Sequence, residues 1–339
     1  MTSKVAARSS RPSPPPERRR RRGFVTFLLV LPAAAFIIFA GLRLFGIDGN
    51  GYAAAVLALT PYVTAVGVLL GLITLAARRW VIGAVVLIIG VITAASLLPR
   101  AMPDPQPTAR GPQLRVMSAN LLVGRADAAT VVNLVRDGRV DVLSLQELTP
   151  GAVAALDQAG LGTELPFRVF QPNPGVTGSG LASRFPLREL PPPESGVEPS
   201  TSAQPAALVD LPGRADVQVV AVHTWPPVAS GNDANAAWRR ELTGLPKADR
   251  EATPRILIGD FNATLDHVGF RDLLGGGYAD AADERGDGFT STWPADFWPP
   301  PVTIDHVLVD SRMAVEHYEV FAIPGSDHRA VYARIVTLD

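Results

Sequence analysis

Apolar residues crowd the first hundred positions, where three long stretches stand out at 24–45, 52–77 and 81–98. Each is close to the ~20 residues that a helix needs to cross a bilayer. Arg43 interrupts the first near its end. Pro61 lies inside the second, where neighbouring helices can satisfy the carbonyl it frees. From 114 onward the pattern shortens. Apolar runs of strand length recur at 114–119, 141–146, 206–211, 217–222, 255–259, 304–309, 315–321 and 330–335. Helical patterns lie at 126–136, 150–158 and 232–242, the second opened by Thr149 as N-cap with Pro150 in the first turn. Several strands follow one another with no helix between them, above all near the C-terminal end. That pattern predicts mixed sheets in an α/β sandwich and not a purely parallel sheet. No internal repeat is visible.

These patterns divide the chain into a disordered basic tail (1–22), three transmembrane helices (23–98), a proline-rich, semi-rigid linker (99–113) and a globular domain (114–339). Charge gives the topology. Arg18 to Arg22 precede the first apolar stretch, and Arg78 and Arg79 lie between the second and third. The short connection between the first and second carries Asp48 and no Lys or Arg. By the positive-inside rule the N-terminus is cytoplasmic and everything after Leu98 is extracytoplasmic, on a multi-pass protein of the cell membrane. A cleaved signal peptide would not be followed by two more long apolar stretches. The stretches carry no ionisable residue near their centres, as an anchor would and a transport path would not.

Composition narrows the function. The chain has no cysteine, which excludes disulfides, thiolate metal sites and a cysteine nucleophile. Of its 31 Lys and Arg and 32 Asp and Glu, the first 99 residues hold eleven and two, leaving 20 basic against 30 acidic residues beyond them. A domain near −10 lacks the basic surface of a general polyanion binder.

Polar residues recur at the ends of the strand-like runs: Asn120, Gln146 with Glu147, His223, Asp260 with Asn262, Asp305, and Asp327 with His328. Strand ends are where a rigid scaffold presents reactive groups. The oxygen donors of Glu147, Asp260 and Asn262 suit magnesium or manganese. Histidines on separate strands can act as general acid or base or can steady a phosphoryl oxygen. Metal-assisted phosphoester hydrolysis needs these parts. Taken singly, each has a structural reading: Glu147 as a helix cap, Asp260 and Asn262 as a turn, Asp305 as an edge charge, His223 as a core histidine. His306 should face away from Asp305 and be structural. His267 and His317 read as ordinary loop or strand residues.

The runs from Val116 to Asn120, Val142 to Glu147, Ser179 to Arg184, Val222 to His223, Ile258 to Asn262, Ile304 to Val309 and Gly325 to His328 resemble, in order, the endonuclease/exonuclease/phosphatase (DNase I-like) superfamily. The resemblance covers nearly the whole globular domain. It implies a four-layer α/β sandwich, two mixed sheets flanked by helices, and a divalent metal, Mg2+ or Mn2+. It also implies roles. Glu147 is the main metal ligand, Asn120 helps hold metal and phosphate, and Asp327 completes a second metal position. Asp260 positions or deprotonates the attacking water, and Asn262 binds the phosphate. His328 contacts the scissile phosphate, Asp305 orients it, and His223 lies by the phosphate or leaving group. Two positions depart from the family pattern. Leu122 stands where many nucleases carry a polar residue, which counts against two metals, and Thr303 stands where an arginine often precedes the Ile-Asp pair.

The function expected is a membrane-anchored phosphoester hydrolase, and within that class a phosphodiesterase, acting outside the membrane. Its substrate would be a lipid headgroup, a nucleic acid or a small phosphoester. Trp225, Trp293 and Trp298, with prolines around 226 and 299, suggest an apolar or lipid-facing rim. An extracytoplasmic nuclease and a catalytically inactive envelope binding module are the alternatives.

Overall fold

The computed structural model describes residues 16–191, 202–213, 216–229, 233–296 and 298–338. Four helices come first: α1 (Pro16–Phe45), α2 (Gly51–Ala58), α3 (Thr60–Ala76) and α4 (Trp80–Leu97). α1 reaches back through the arginine run that was expected to belong to a disordered tail, and residues 1–15 of that tail lie outside the described residues. Then follow β1 (Gln113–Asn120), α5 (Ala128–Asp137), β2 (Val142–Gln146), α6 (Pro150–Gln158), α7 (Leu161–Glu164), β3 (Phe167–Gln171), β4 (Ser179–Ser183), β5 (Leu187–Leu190), β6 (Ala206–Val209) and β7 (Val217–His223). The chain ends with α8 (Ala234–Gly244), β8 (Arg255–Asp260), α9 (Val268–Gly275), β9 (Tyr278–Asp280), α10 (Ala281–Glu284), β10 (Asp305–Asp310), β11 (Ala314–Ala322) and β12 (Arg329–Val336).

Two helices, Gly23–Phe45 and Trp80–Ala101, are long and apolar enough to cross a membrane. The second apolar stretch, expected as one span over 52–77, is instead two helices bent by 72° at a break, so that the count reaches three only if the bent pair is one span. The break has a local cause. Pro61 in the first turn of α3 has no N–H to continue a helix arriving from α2, and the Thr60 hydroxyl donates to the Leu57 carbonyl at 2.6 Å.

The chain forms two compact units, residues 1–41 with 62–94 and residues 42–61 with 95–339. Within the first, glycines set the helix spacing. A Cβ on Gly67 would lie 2.2 Å from the Phe36 ring, and one on Gly71 would lie 2.8 Å from the Leu87 nitrogen. Small residues of this kind let apolar helices pack backbone to backbone.

The second unit is a sandwich of two six-stranded sheets, ordered β11-β12-β1-β2-β4-β3 and β5-β6-β7-β8-β10-β9. β1 pairs with β2 and β7 with β8 in parallel, and the remaining pairs are antiparallel. Alternation along each strand builds the layers. Leu114 and Val116 of β1 meet Val217, Val219, Ile256 and Ile258 between the sheets. Met117, Leu143 and Leu145 face out against Val131, Val135 and Leu156 of α5 and α6. Val220, Val222 and Leu257 face out against Trp238 and Leu242 of α8 and Phe270 of α9. This is the four-layer, DNase I-like α/β fold.

α6 begins where Thr149 and Pro150 place it, with the Thr149 hydroxyl accepting from the Ala152 amide at 3.1 Å. The linker does not stand clear of the domain. Asp104 donates from its amide to the Glu284 carbonyl at 3.0 Å, and the Val315 amide donates to Gln106 Oε1 at 2.7 Å.

Candidate active site

The inward rows of both sheets turn polar at the same edge. In β1 the inward positions run Leu114, Val116, Ser118 and Asn120, and in β2 they run Val142, Ser144 and Gln146. In the other sheet β7 and β8 finish at His223 and Asp260, and the antiparallel β10 starts at Asp305. Register aligns them: Asn120 beside Gln146, His223 beside Asp260, and Asp305 across from Asp260. All five side chains are buried. The Ser144 hydroxyl donates to the Ile258 carbonyl at 3.1 Å, tying one sheet to the other just below this row. By the same parity His306 faces outward, where it bonds Asp280 at 2.7 Å and the Ala263 carbonyl at 2.9 Å and stacks near Phe270. It is structural, as the alternation predicts.

His328 arrives from the turn before β12. The Ser326 hydroxyl holds that turn to β1 by donating to the Asn120 carbonyl at 2.8 Å, and it accepts from the His328 amide at 3.1 Å. His328 Nδ1 meets the Asp305 carboxylate at 3.0 Å, and Nε2 lies 3.8 Å from Asp260 and 3.9 Å from Asp327. Glu147 accepts from the Val123 amide at 2.8 Å and from Asn120 Nδ2 at 3.3 Å. The other amide hydrogen of Asn120 is directed at Asp260, 3.2 Å away, and its oxygen accepts from the Leu122 amide. Asn120 therefore braces the two carboxylates. Asn262 accepts nothing from Asp260 but donates its amide to it at 2.8 Å, while its side chain donates to the Thr224 carbonyl at 2.9 Å. Asp327 accepts from the Trp293 indole at 3.1 Å. Thr303 donates to the Thr290 carbonyl and supports the chain before β10.

The backbone is strained here. Leu122, Val123, Glu147 and Asn262 all have left-handed φ, between 45° and 55°. Such residues cost about 1–3 kcal/mol each and persist where the surroundings over-determine them. Gly259, at φ 153°, brings β8 against β7 so closely that a Cβ would lie 1.9 Å from the Val222 carbonyl oxygen. No side chain fits there, and Asp260 is placed accordingly.

Electrostatics divides the histidines. Burial and the neighbouring His328 charge push His223 down to about 4, against the pull of Asp305, so its ring is neutral. Burial would also lower His328, but Asp305 and Asp260 outweigh it and raise the ring to about 10. Burial and the adjacent Asp305 lift Asp260 to about 7, with His328 opposing. Burial also raises Glu147, whose two hydrogen-bond partners are both neutral.

Asp260, Asp305 and His328 bring possible metal-ligand atoms within 4.8 Å of one another. His328 and Asp305 already satisfy each other, however. The wider site sets the carboxylates of Glu147, Asp260, Asp305 and Asp327 against one imidazolium. Buried negative charge in excess of its counter-charge is costly, so a divalent cation fits the donors present, with Glu147 hydrogen-bonded by neutral donors.

The site opens into a cavity of about 560 Å3. Its floor holds Glu147, His223, Asp260, Asn262 and His328. Its walls are apolar and include Trp225 and Trp293, and no Lys or Arg lines it among the described residues. His267, read as an ordinary loop residue, also lines it. It is buried, accepts from the Thr264 amide at 2.8 Å and meets the Ala54 carbonyl at 2.9 Å. Sequence reasoning gave no site role to His267, to α2 or to Ser326, although Ser326 belongs to the Gly325–His328 run. Ser326 carried a signal, since it stands directly before Asp327 and His328.

The sequence model described as "Endonuclease/Exonuclease/phosphatase family" matches residues 117–328. No curated protein matches the chain. Among solved structures, the chain is similar to an endonuclease/exonuclease/phosphatase from Beutenbergia cavernae, at 20% identity and TM-score 0.48 over 67% of this chain and 72% of that one. It is similar to a humanized TDP2 of D. rerio at 17% and 0.49, over 66% and 98%. A third is sphingomyelinase C from Streptomyces griseocarneus at 16% and 0.45, over 67% and 100%.

Proposed function

Since the chain belongs to the endonuclease/exonuclease/phosphatase family, whose members are metal-dependent phosphoester hydrolases, we propose that it cleaves phosphodiesters at the Asp260, Asp305 and His328 cluster while held in the cell membrane by its N-terminal helices. One observation carries this reading: three strand ends in register and one turn bring two buried carboxylates and two oppositely tuned histidines together, with His223, Asp260 and His328 of this group lining one cavity. Hydrolysis adds water to phosphorus, breaks one P–O bond and returns one proton to the departing oxygen. Asp260, raised towards neutrality, takes the proton of the attacking water. His328, held as imidazolium by Asp305, steadies the charge that grows on the phosphoryl oxygens. His223 stays neutral, and its Nδ1 is buried without a hydrogen-bond partner, which leaves it free for the substrate or leaving group. Asn262 lines the same cavity, where its side chain can meet a phosphate oxygen. Glu147, braced by Asn120 and with Asp327 nearby, would hold Mg2+ or Mn2+, which when bound neutralises phosphate charge and lowers the pKa of water.

The lining of the cavity disfavours a nuclease, because Lys and Arg contacts to phosphates supply most nucleic-acid affinity. An inactive module is disfavoured because each chemical part is present. The full chain in detergent micelles is expected to hydrolyse bis(4-nitrophenyl) phosphate with Mg2+ or Mn2+ and to stop with EDTA. Equal rates with and without EDTA would refute it.

The orientation is open to a direct test because the chain has no cysteine. In whole cells, a membrane-impermeant maleimide is expected to label Ser311→Cys and to spare Ser10→Cys until the cells are lysed. The reverse pattern would place the catalytic unit inside.

A further inference from the structure

We propose that the start of the second apolar stretch, α2 with Leu59, forms one wall of the active-site cavity, and that this wall takes the hydrocarbon chain of a phospholipid whose phosphodiester lies on the catalytic floor. The proposal rests on the phosphodiesterase reading above and adds the substrate class.

The wall lies outside the part of the chain that matches the family, which begins at residue 117. Ala54, Ala55, Ala58 and Leu59 line the same cavity as His223, Asp260 and His328. The segment is built into the catalytic unit at four points. Asp48 accepts from the Val268 amide at 3.1 Å, and the Ala54 carbonyl meets His267 at 2.9 Å. Ala54 is fully buried against the layer of Trp238 and Phe261. Gly51 passes so close to the Pro227 carbonyl that a Cβ would lie 2.7 Å from it. At its N-terminal end, Arg43 bonds the buried Asp266 at 2.9 Å, and Arg100 holds the same carboxylate at 2.8 Å.

Chemistry decides the occupant. The cavity joins a charged floor to walls of Ala55, Ala58, Val228, Pro299 and Val302. At about 560 Å3 it falls within the roughly 300–1,000 Å3 of ligand sites. An amphiphile with one phosphodiester and an alkyl chain satisfies both surfaces, whereas a nucleic acid would leave the walls unused and its phosphates without cations. Leu59 stands one residue before α3, about 3.5 Å of chain, so the wall is covalently continuous with an apolar helix of 17 residues. The unit also exposes large apolar side chains near this segment and the cavity rim in sequence: Phe45 is 76% exposed, Tyr52 88%, Val228 63% and Trp298 81%. Exposed apolar surface of this kind marks a membrane or partner interface, and Tyr and Trp favour the interfacial zone.

In the reaction, water adds to phosphorus, one P–O bond of the diester breaks, and the proton goes to the departing oxygen. The products are a phosphomonoester and an alcohol, and no oxidant or further reactant is required.

The test uses the full chain with Mn2+ in mixed micelles. Cleavage of long-chain phosphatidylcholine, phosphatidylethanolamine, phosphatidylglycerol and phosphatidylinositol is compared with that of the corresponding water-soluble glycerophosphodiesters and with plasmid nicking. At least one phospholipid is expected to exceed its soluble counterpart in kcat/KM by about 100-fold. Ala58→Trp should lower that ratio tenfold or more through KM. Ala55→Trp, at an exposed position that leaves the core undisturbed, should do the same if Ala58→Trp does not fold. Equal rates on lipid and soluble esters, an unchanged ratio in both folded variants, or plasmid nicking faster than lipid cleavage would overturn the apolar subsite while leaving the phosphodiesterase reading intact. No metal-dependent cleavage of any of these substrates would overturn both.

Discussion

Replacing His328 with alanine is expected to lower phosphodiester turnover about 1,000-fold, in the range of losing an acid–base group or a preorganised charge donor. The expectation follows from what His328 faces. Its ring lies 3.0 Å from Asp305 and 3.8 Å from Asp260, two buried carboxylates that are direct neighbours across β8 and β10. Remove the imidazolium and the acids face each other with no cation between them, so a phosphate enters a site of like charge. Asp305→Asn tests the cause separately. The ring stays in place but loses the partner that does most to keep it protonated. Turnover should fall less than in His328→Ala, and its alkaline limit should move to lower pH. Near-wild-type turnover in folded His328→Ala would remove this residue from the mechanism.

Asp266→Ala should have the largest effect on stability, about 3–5 kcal/mol, the usual cost of breaking a buried ion pair from one side. Asp266 is 1% exposed and receives both Arg43 and Arg100, whose side chains are 15% and 11% exposed. Without it two nearly buried guanidinium groups lose their counter-charge. At roughly 2–4 °C per kcal/mol for a domain of this size, Tm should fall by about 6–20 °C. Acid adds a signature. Burial alone would raise the pKa of Asp266, but Arg100 and Arg43 outweigh it and hold it below the ordinary value. A depressed folded-state pKa contributes stability above the unfolded value of about 3.9 and loses it as pH falls through the folded value. Wild type should therefore lose this contribution below about pH 4, and Asp266→Asn should lack that part of the slope. An unchanged Tm in Asp266→Ala would show that the two arginines do not depend on it.

Much of the sandwich was legible because strands buried on both faces read as apolar runs, and because those runs stop at polar residues. The eight strands expected from sequence are all present. β3, β4, β5 and β9 were not expected, for physical reasons. β4 reads Ser-Gly-Leu-Ala-Ser and is buried throughout, with Gly180 small because the Phe170 ring lies against it, so it shows neither hydrophobic alternation nor branched side chains. β9 has three residues, fewer than any period can reveal. The second apolar stretch misled for a different reason. Apolarity is the same whether a helix faces lipid or a protein interior, and Ala54 and Leu57 of α2 are fully buried. Pro61 was the only mark of the break. Arg43 was visible as an odd charge at the end of an apolar stretch, but its partner Asp266 lies 223 residues away and no local pattern joins them. In the candidate site the residue types and order could be read directly. What could not be read was that Asn120 spends its amide on Glu147 and Asp260, because only the packing of the two sheets sets those distances.

The most direct test of the central claim is Mn2+ binding to the full chain, followed by electron paramagnetic resonance in parallel with phosphodiester turnover, for wild type and Glu147→Gln. Glu147 is a buried carboxylate held by neutral hydrogen-bond donors, and glutamine keeps its size while removing its charge. The account predicts that wild type binds Mn2+ and turns over with the same concentration dependence. In Glu147→Gln both should weaken together by at least about 100-fold, the upper end of what losing a group behind a metal ligand costs. Full metal affinity and full turnover in the folded variant would contradict it.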